Sequence, residues 1–292
     1  MSERAGECQN LACAPGDDPP AASVVGGQAA VEHKPALRWQ QECVTRRSDA
    51  VLAECPVALC YNGVSHAVMM ATPAELEDFA LGFSLSEGII ASANQLYSSE
   101  CKRHARGIEL SMEIAAQAFS GLKRGRRQLA GRSGCGLCGV ESLDQLAPRL
   151  PAAVDSPVRI QHQAIQRALA ALPARQSLQS ETGAAHAAAW CDQHGDIHYL
   201  REDVGRHNAL DKLLGLHSRV GGDARGHGFV VITSRASYEM VIKVATLGLP
   251  MLVAVSAPTT LAVDYALATN ITLVGFARAG RHQIYAGEQR VC

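Results

Sequence analysis

The runs Phe229-Val230-Val231-Ile232-Thr233, Met251-Leu252-Val253-Ala254-Val255 and Ile271-Thr272-Leu273-Val274-Gly275 decide the fold of this 292-residue chain. Each is short, rich in β-branched residues and almost continuously apolar, the pattern of a strand covered on both faces. Between the first two, a helix is expected from Ala236 to Leu247, stopped by Gly248 and Pro250. A second helix is expected from about Thr260. The order β-α-β-α-β predicts a parallel sheet with helices on both sides, an α/β arrangement.

In such sheets ligands settle beyond the carboxyl ends of the strands. Three strand-end segments are distinctive here: Thr233-Ser234-Arg235-Ala236-Ser237, Ser256-Ala257-Pro258-Thr259-Thr260, and Phe276-Ala277-Arg278-Ala279-Gly280-Arg281. The first two open helices, whose free N–H groups favour anions. Arg235, Arg278 and Arg281 can add bidentate contacts to phosphate. Ordinary capping by Ser234 and Thr259, with surface arginines, accounts for the same residues. No Walker loop and no G-x-G-x-x-G occurs, which argues against a nucleoside triphosphatase or a dinucleotide dehydrogenase.

Upstream, Ala187–Trp190 and Ile197–Leu200 flank Asp192-Gln193-His194-Gly195 and read as a hairpin. The segment Glu202-Asp203-Val204-Gly205-Arg206-His207-Asn208-Ala209-Leu210-Asp211-Lys212 is dense in polar groups. Asp203 is expected to cap a helix carrying Leu210, Leu213 and Leu214 and ending at Gly215. His207 can orient a loop, act as acid or base, or satisfy a buried hydrogen bond, and His186 has the same options.

Nearer the N-terminus, Val57–Tyr61 and His66–Met70 flank Asn62-Gly63, a hairpin signal. A helix follows, with Thr72 as N-cap, Pro73 at its first position, Glu75 completing a capping box, and Gly88 as its stop. Its stripe Leu76, Phe79, Ala80, Phe83 is core. Residues 1–35, rich in Ala, Gly, Pro and Gln, read as a disordered leader. The expected division is therefore leader 1–35, a small α+β domain 36–130 with a basic loop, and an α/β domain 131–292.

Arg132-Ser133-Gly134-Cys135-Gly136-Leu137-Cys138-Gly139 places two thiols three residues apart in a glycine-rich turn. Structural zinc needs a second ligand pair at matching spacing, and none is visible, although distant histidines could complete a site. A thioredoxin-like pair belongs after the first strand of a βαβ unit, not in mid-chain. A persulfide carrier needs one nucleophilic thiolate on a loop. Two ordinary buried thiols would not call for the glycines. Lys102, Arg103, Arg106, Lys123, Arg124, Arg126, Arg127 and Arg132 form a solvated basic face, or draw an anionic ligand or acidic partner toward Cys135 and favour its thiolate.

Composition sets outer limits. The net charge of −1 argues against a nucleic-acid binder, and no apolar run approaches the ~20 residues of a membrane span. Ten cysteines without a visible export signal fit reduced thiols in the cytoplasm.

Taken together, these segments resemble the formate dehydrogenase accessory sulfurtransferase family, FdhD. The resemblance rests on Ser133–Gly139, on Thr182-Gly183 leading to His186-Ala187-Ala188, on Glu202–Lys212, and on Ser234-Arg235-Ala236-Ser237-Tyr238-Glu239-Met240. The Ser256–Thr259 loop and Gly275–Arg278 extend it, so that it runs from about residue 40 to the C-terminus. It implies a sulfurtransferase that accepts sulfane sulfur from a cysteine desulfurase as a persulfide. Cys135 would bear the persulfide and Cys138 would assist. The sulfur would pass to the bis(guanine dinucleotide) molybdenum cofactor before its insertion into apo-formate dehydrogenase. The cofactor would be a bound client, and the chain would hold no metal of its own. Its cofactor-contacting residues would be Phe276, Ala277, Arg278, Ala279, Gly280 and Arg281, with Ser234, Arg235 and His207; homodimerisation is compatible with this.

The resemblance also implies a three-layer mixed sheet like the cytidine deaminase fold, with a smaller N-terminal α+β domain. Deamination itself is not expected, because Gly134 stands where the zinc motif P-C-x-x-C requires proline. The competing reading is a non-catalytic chaperone that docks cofactor and apoenzyme, its C-x-x-C being structural.

Overall fold

The computed structural model describes residues 29–129, 150–220 and 227–292, with the side chains of 124–129 excepted. It is a mixed α/β structure. The strands are β1 (Val31–Gln40), β2 (Cys43–Leu52), β3 (Cys55–Tyr61), β4 (Val64–Ala71), β5 (Leu96–His104), β6 (Gly107–Ile114), β7 (His186–Asp192), β8 (Ile197–Asp203), β9 (Gly228–Ile232), β10 (Met251–Ala254), β11 (Thr272–Arg278) and β12 (Arg281–Ala286). The helices are α1 (Leu76–Ser86), α2 (Ala116–Leu129), α3 (His162–Arg175), α4 (Ser177–Thr182), α5 (Arg206–Val220), α6 (Tyr238–Thr246) and α7 (Thr260–Ala268).

The larger sheet has the order β12-β11-β10-β9-β7-β8. Its centre is parallel, β9 to β10 to β11, as the apolar runs predicted, while β7, β8 and β12 join antiparallel. Alternation of side chains explains why these strands are apolar throughout. Val230, Ile232, Leu252, Ala254 and Leu273 pack under α5, α6 and α7 through Leu210, Leu213, Leu214, Met240, Val244 and Ala262. Phe229, Val231, Met251, Val253 and Val274 meet Ile165, Ala168 and Leu172 of α3 on the other face.

The smaller sheet, β4-β3-β6-β5, is closed at one end by the Asn62-Gly63 turn, where both residues take positive φ (47° and 75°). Asn62 also exchanges two hydrogen bonds with the backbone of Ile114, which fixes β6 against the turn. Phe79, Ala80 and Phe83 of α1 are buried against this sheet. β1 and β2 form a separate, largely exposed ribbon, and β1 begins at Val31, inside the stretch read from composition as leader.

Two helix boundaries differ from expectation for one reason, contact between the halves of the molecule. The capping box at Thr72 does not form: α1 starts at Leu76, after Glu75 in left-handed conformation, with no side-chain cap. Thr72 serves the other half instead. Its N–H donates to Asp203 (3.0 Å), its hydroxyl accepts from the Val204 N–H (3.1 Å), and its carbonyl accepts from Lys212 (3.0 Å).

Likewise α5 does not stop at Gly215 but runs through it to Val220. Gly215 and Gly82 mark the crossing of α5 and α1. A Cβ at Gly215 would lie 1.9 Å from the carbonyl oxygen of Asp78, and one at Gly82 would lie 1.7 Å from that of Asp211. Only glycine permits this approach. Gly215→Ala is therefore expected to force the helices apart and cost about 1–3 kcal/mol or more, read as a lowered urea midpoint.

Candidate functional site

The three strand-end segments run side by side as a hydrogen-bonded ladder. The N–H of Ala236 donates to the carbonyl of Ala257, that of Thr259 to Ala236, and that of Phe276 to Ser256. The N–H of Thr233 joins the set to β7 by donating to Ala187. Thr259 caps α7 by accepting from the Ala262 N–H, whereas Ser237 at the start of α6 makes no such side-chain bond.

At this end of the sheet lies a cavity of about 540 Å³. Leu169, Leu172 and Pro173 of α3 form its apolar wall. Thr233, Val255 and Ala277–Ala279 form its floor at the carboxyl ends of β9, β10 and β11, and Gly183–His186 form a lip. The Arg278 side chain at its rim is exposed, and Gln176, Gln179 and His186 supply further polar groups. Burial, reinforced by the nearby Arg206 charge, pushes the His186 imidazole below its ordinary range. An apolar wall thus stands beside an exposed guanidinium, an arrangement that can accommodate a planar or apolar group together with an anionic one.

The residues singled out in the sequence do not form one surface. Ala277, Arg278 and Ala279 line this cavity. Phe276 and Arg281 open instead onto a separate hollow of about 370 Å³, with His282 and Gln283. The segment is no helix-opening loop: β11 continues through a bulge to Arg278 and folds back as β12, and Phe276 takes φ 48° at the irregularity. Gly280, at φ 75°, makes the turn, and its N–H donates to Gln166 (2.8 Å). Ser234 is buried and its hydroxyl bonds the Arg235 carbonyl, while the Arg235 side chain is exposed.

His207 faces a third cavity, of about 670 Å³, between α1, α5 and α6. Its Nε2 lies 2.9 Å from the Glu239 carboxylate, and that bond holds Glu239 below the usual carboxylate range. The floor of this cavity is a buried network in which Lys243 contacts Ser86, Glu87 and Asp211 at 2.7–3.0 Å. Burial raises the Asp211 carboxyl. Burial alone would lower Lys243, but the carboxylates of Asp211 and Glu87 outweigh it and raise the ammonium.

The sequence reading missed Gln176, Gln179 and the α3 wall. These lie in an Ala- and Gln-rich stretch with no motif; the adjacent Thr182-Gly183 was the available signal. Cys135 and Cys138 lie outside the described residues. Among the described thiols, burial raises Cys55, Cys60, Cys101 and Cys191, which makes them poor nucleophiles. Among the described residues no group of three or more His, Cys, Asp or Glu side chains is placed to hold a metal ion, and no helix is long and apolar enough to cross a membrane.

These features define a mixed α/β protein with a ligand cavity at the carboxyl ends of its parallel strands. Residues 52–292 match the model of the FdhD/NarQ family, and the chain belongs to that family. It is 55% identical over 254 residues to the sulfur carrier protein FdhD of Cupriavidus necator, covering 87% of this chain and 88% of the relative. It is 51% identical over 243 residues to the sulfur carrier protein FdhD of Xanthomonas euvesicatoria, covering 83% and 86%. Its fold is similar to the crystal structure of a putative formate dehydrogenase accessory protein from Desulfotalea psychrophila. That comparison gives a TM-score of 0.69 and 21% identity, over 90% of this chain and all of the other.

Proposed function

We propose that this protein is a sulfur carrier that serves formate dehydrogenase maturation, in keeping with the names its relatives carry. Sulfane sulfur arrives from a cysteine desulfurase. The Cys135 thiolate attacks the terminal sulfur of the donor's persulfide; a new S–S bond forms on Cys135, the donor's S–S bond breaks, and the donor cysteine leaves as thiolate. Cys138, three residues on in the sequence, assists. Delivery draws its two electrons from Cys138: its thiolate attacks the inner sulfur of the Cys135 persulfide, a Cys135–Cys138 disulfide forms as the persulfide S–S bond breaks, and hydrosulfide leaves for the bis(guanine dinucleotide) molybdenum cofactor, the substrate of the transfer, whose metal favours soft ligands.

The observation that carries this reading is the cavity at the strand ends, with Arg278 on its rim. An apolar wall beside a guanidinium suits a guanine nucleotide, the base against Leu169, Leu172 and Pro173 and a phosphate on Arg278. A relation of this sheet to the cytidine deaminase fold is part of the same proposal. The test is calorimetric titration with guanosine 5′-diphosphate. The wild-type chain should bind it, and Arg278→Ala should weaken binding about tenfold, the worth of one charge-assisted contact. Equal affinity in the two proteins would remove the cofactor from this cavity.

A further inference from the structure

Glu202 opens the polar segment that the sequence marked out, yet it faces away from the residues that follow it. On β8, successive side chains point to opposite faces. Tyr199 packs on the α5 side, and Arg201 and Asp203 bond Asp78 and Thr72, which precede or lie on α1. Leu200 packs on the opposite side, with α3, and Glu202 makes its bonds there, to α4. Only 5% of Glu202 is exposed.

A carboxylate so buried costs free energy unless donors surround it. Its donors are specific. The N–H groups of Leu178 and Gln179 each lie 2.8 Å from one of its oxygens, and the Ser177 hydroxyl lies 3.3 Å away. These are the free donors at the start of α4, a helix of six residues without a side-chain cap of its own. So short a helix has little stability alone, and Glu202 supplies the anchor.

What α4 carries is the lip of the cavity. The Gly183 N–H donates to the Gln179 carbonyl (2.8 Å) and the Ala185 N–H to the Gln179 side chain (2.9 Å). The Ala184 N–H donates to the Thr182 hydroxyl (3.3 Å), which itself donates to the Leu178 carbonyl (2.7 Å). Gly183 takes φ 70° to make the turn. The N–H groups of Gly183, Ala184 and Ala185 are therefore satisfied by α4, and α4 is held by Glu202. Gln179, Gly183, Ala184, Ala185 and His186 then face the cavity.

We propose that Glu202 is a positioning residue for the ligand of this cavity: it touches no ligand itself but fixes α4 and, through α4, the Gly183–His186 lip. The inference rests on the reading of the cavity as a nucleotide site. An amide at this position would turn an NH₂ toward a backbone N–H, so Glu202→Gln breaks at least one of the paired bonds while keeping the volume. Misplacing a binding wall by a fraction of an ångström to an ångström weakens a fitted ligand by about ten- to a hundredfold.

The experiment measures two properties of the full chain: affinity for guanosine 5′-diphosphate, and persulfide loading of Cys135 by a cysteine desulfurase. Glu202→Gln should lose affinity by that factor, recover part of it as Glu202→Asp, and load sulfur as the wild type does. Faster amide exchange at residues 178–185, with the rest of the larger sheet protected as before, should accompany the loss. Unchanged affinity with a folded variant would overturn the assignment. If Glu202→Gln does not melt cooperatively, Thr182→Val decides, since it cuts the Ala184 tether and the bond to Leu178 while leaving Glu202 in place: a several-fold loss of affinity supports the proposal and no change overturns it. Absence of nucleotide binding in the wild-type chain would instead overturn the reading of the cavity, and with it this assignment.

Discussion

Cys135→Ala is expected to abolish sulfur uptake altogether. When the wild-type chain is incubated anaerobically with a cysteine desulfurase and cysteine, intact mass should show added sulfur that a thiol reductant removes. The Cys135→Ala chain should show none, and Cys138→Ala should retain part of the gain. Only a thiolate attacks a persulfide, and burial raises Cys55, Cys60, Cys101 and Cys191, so none of these four stands in for Cys135; the exposed Cys43 and Cys292 are checked by Cys43→Ser and Cys292→Ser, each of which should load sulfur as the wild type does. Cys135 instead follows the basic run Lys123, Arg124, Arg126, Arg127, Arg132 in sequence, and nearby cations lower a thiol's pKa. Formate dehydrogenase activity in cells carrying only the Cys135→Ala chain should fall to background. Full activity there would shift the function to cofactor docking, in which case Arg278→Ala would be the more damaging change.

The legible parts of this fold were those in which one short stretch determines its own structure. Continuous apolar runs identified β9, β10 and β11 because both faces of those strands are covered. Asn62-Gly63 identified a turn because few other pairs accept positive φ twice. Glycine and threonine misled where their role is long-range. Gly215 has the composition of a helix end, but what it meets is Asp78, distant in sequence and adjacent in space. Thr72 has the composition of an N-cap, but its partners are Asp203, Val204 and Lys212.

The site divides in the same way. Strand-end logic located the cavity and Arg278. It could not say that a bulge in β11 sends Phe276 and Arg281 to another hollow, because bulges depend on the partner strand. Nor could it find Gln179, on the helix whose start Glu202 binds, or the α3 wall, which reaches the cavity by packing on the larger sheet.

The largest expected effect on stability is that of Lys212→Met. Lys212 and Asp203 have no exposed side-chain surface, and their charged atoms are 2.7 Å apart. The Asp203 carboxylate also accepts from the N–H groups of Thr72 and Gly205 and from the Asn208 amide, so it is locked in place as an acceptor. Methionine fills the volume of the lysine stem but supplies no charge, leaving Asp203 ionised, buried and unpaired. Breaking such a pair from one side costs about 3–5 kcal/mol, whereas Arg47→Ala, which breaks the exposed Arg47–Asp49 pair of the β1–β2 ribbon, should cost under about 1 kcal/mol. Urea unfolding of both variants checks the contrast. A gap that is small would mean that lysine acts here through its stem and not its charge. The same residues tie Thr72 to the start of α5, so the result also measures how firmly the two sheets are joined.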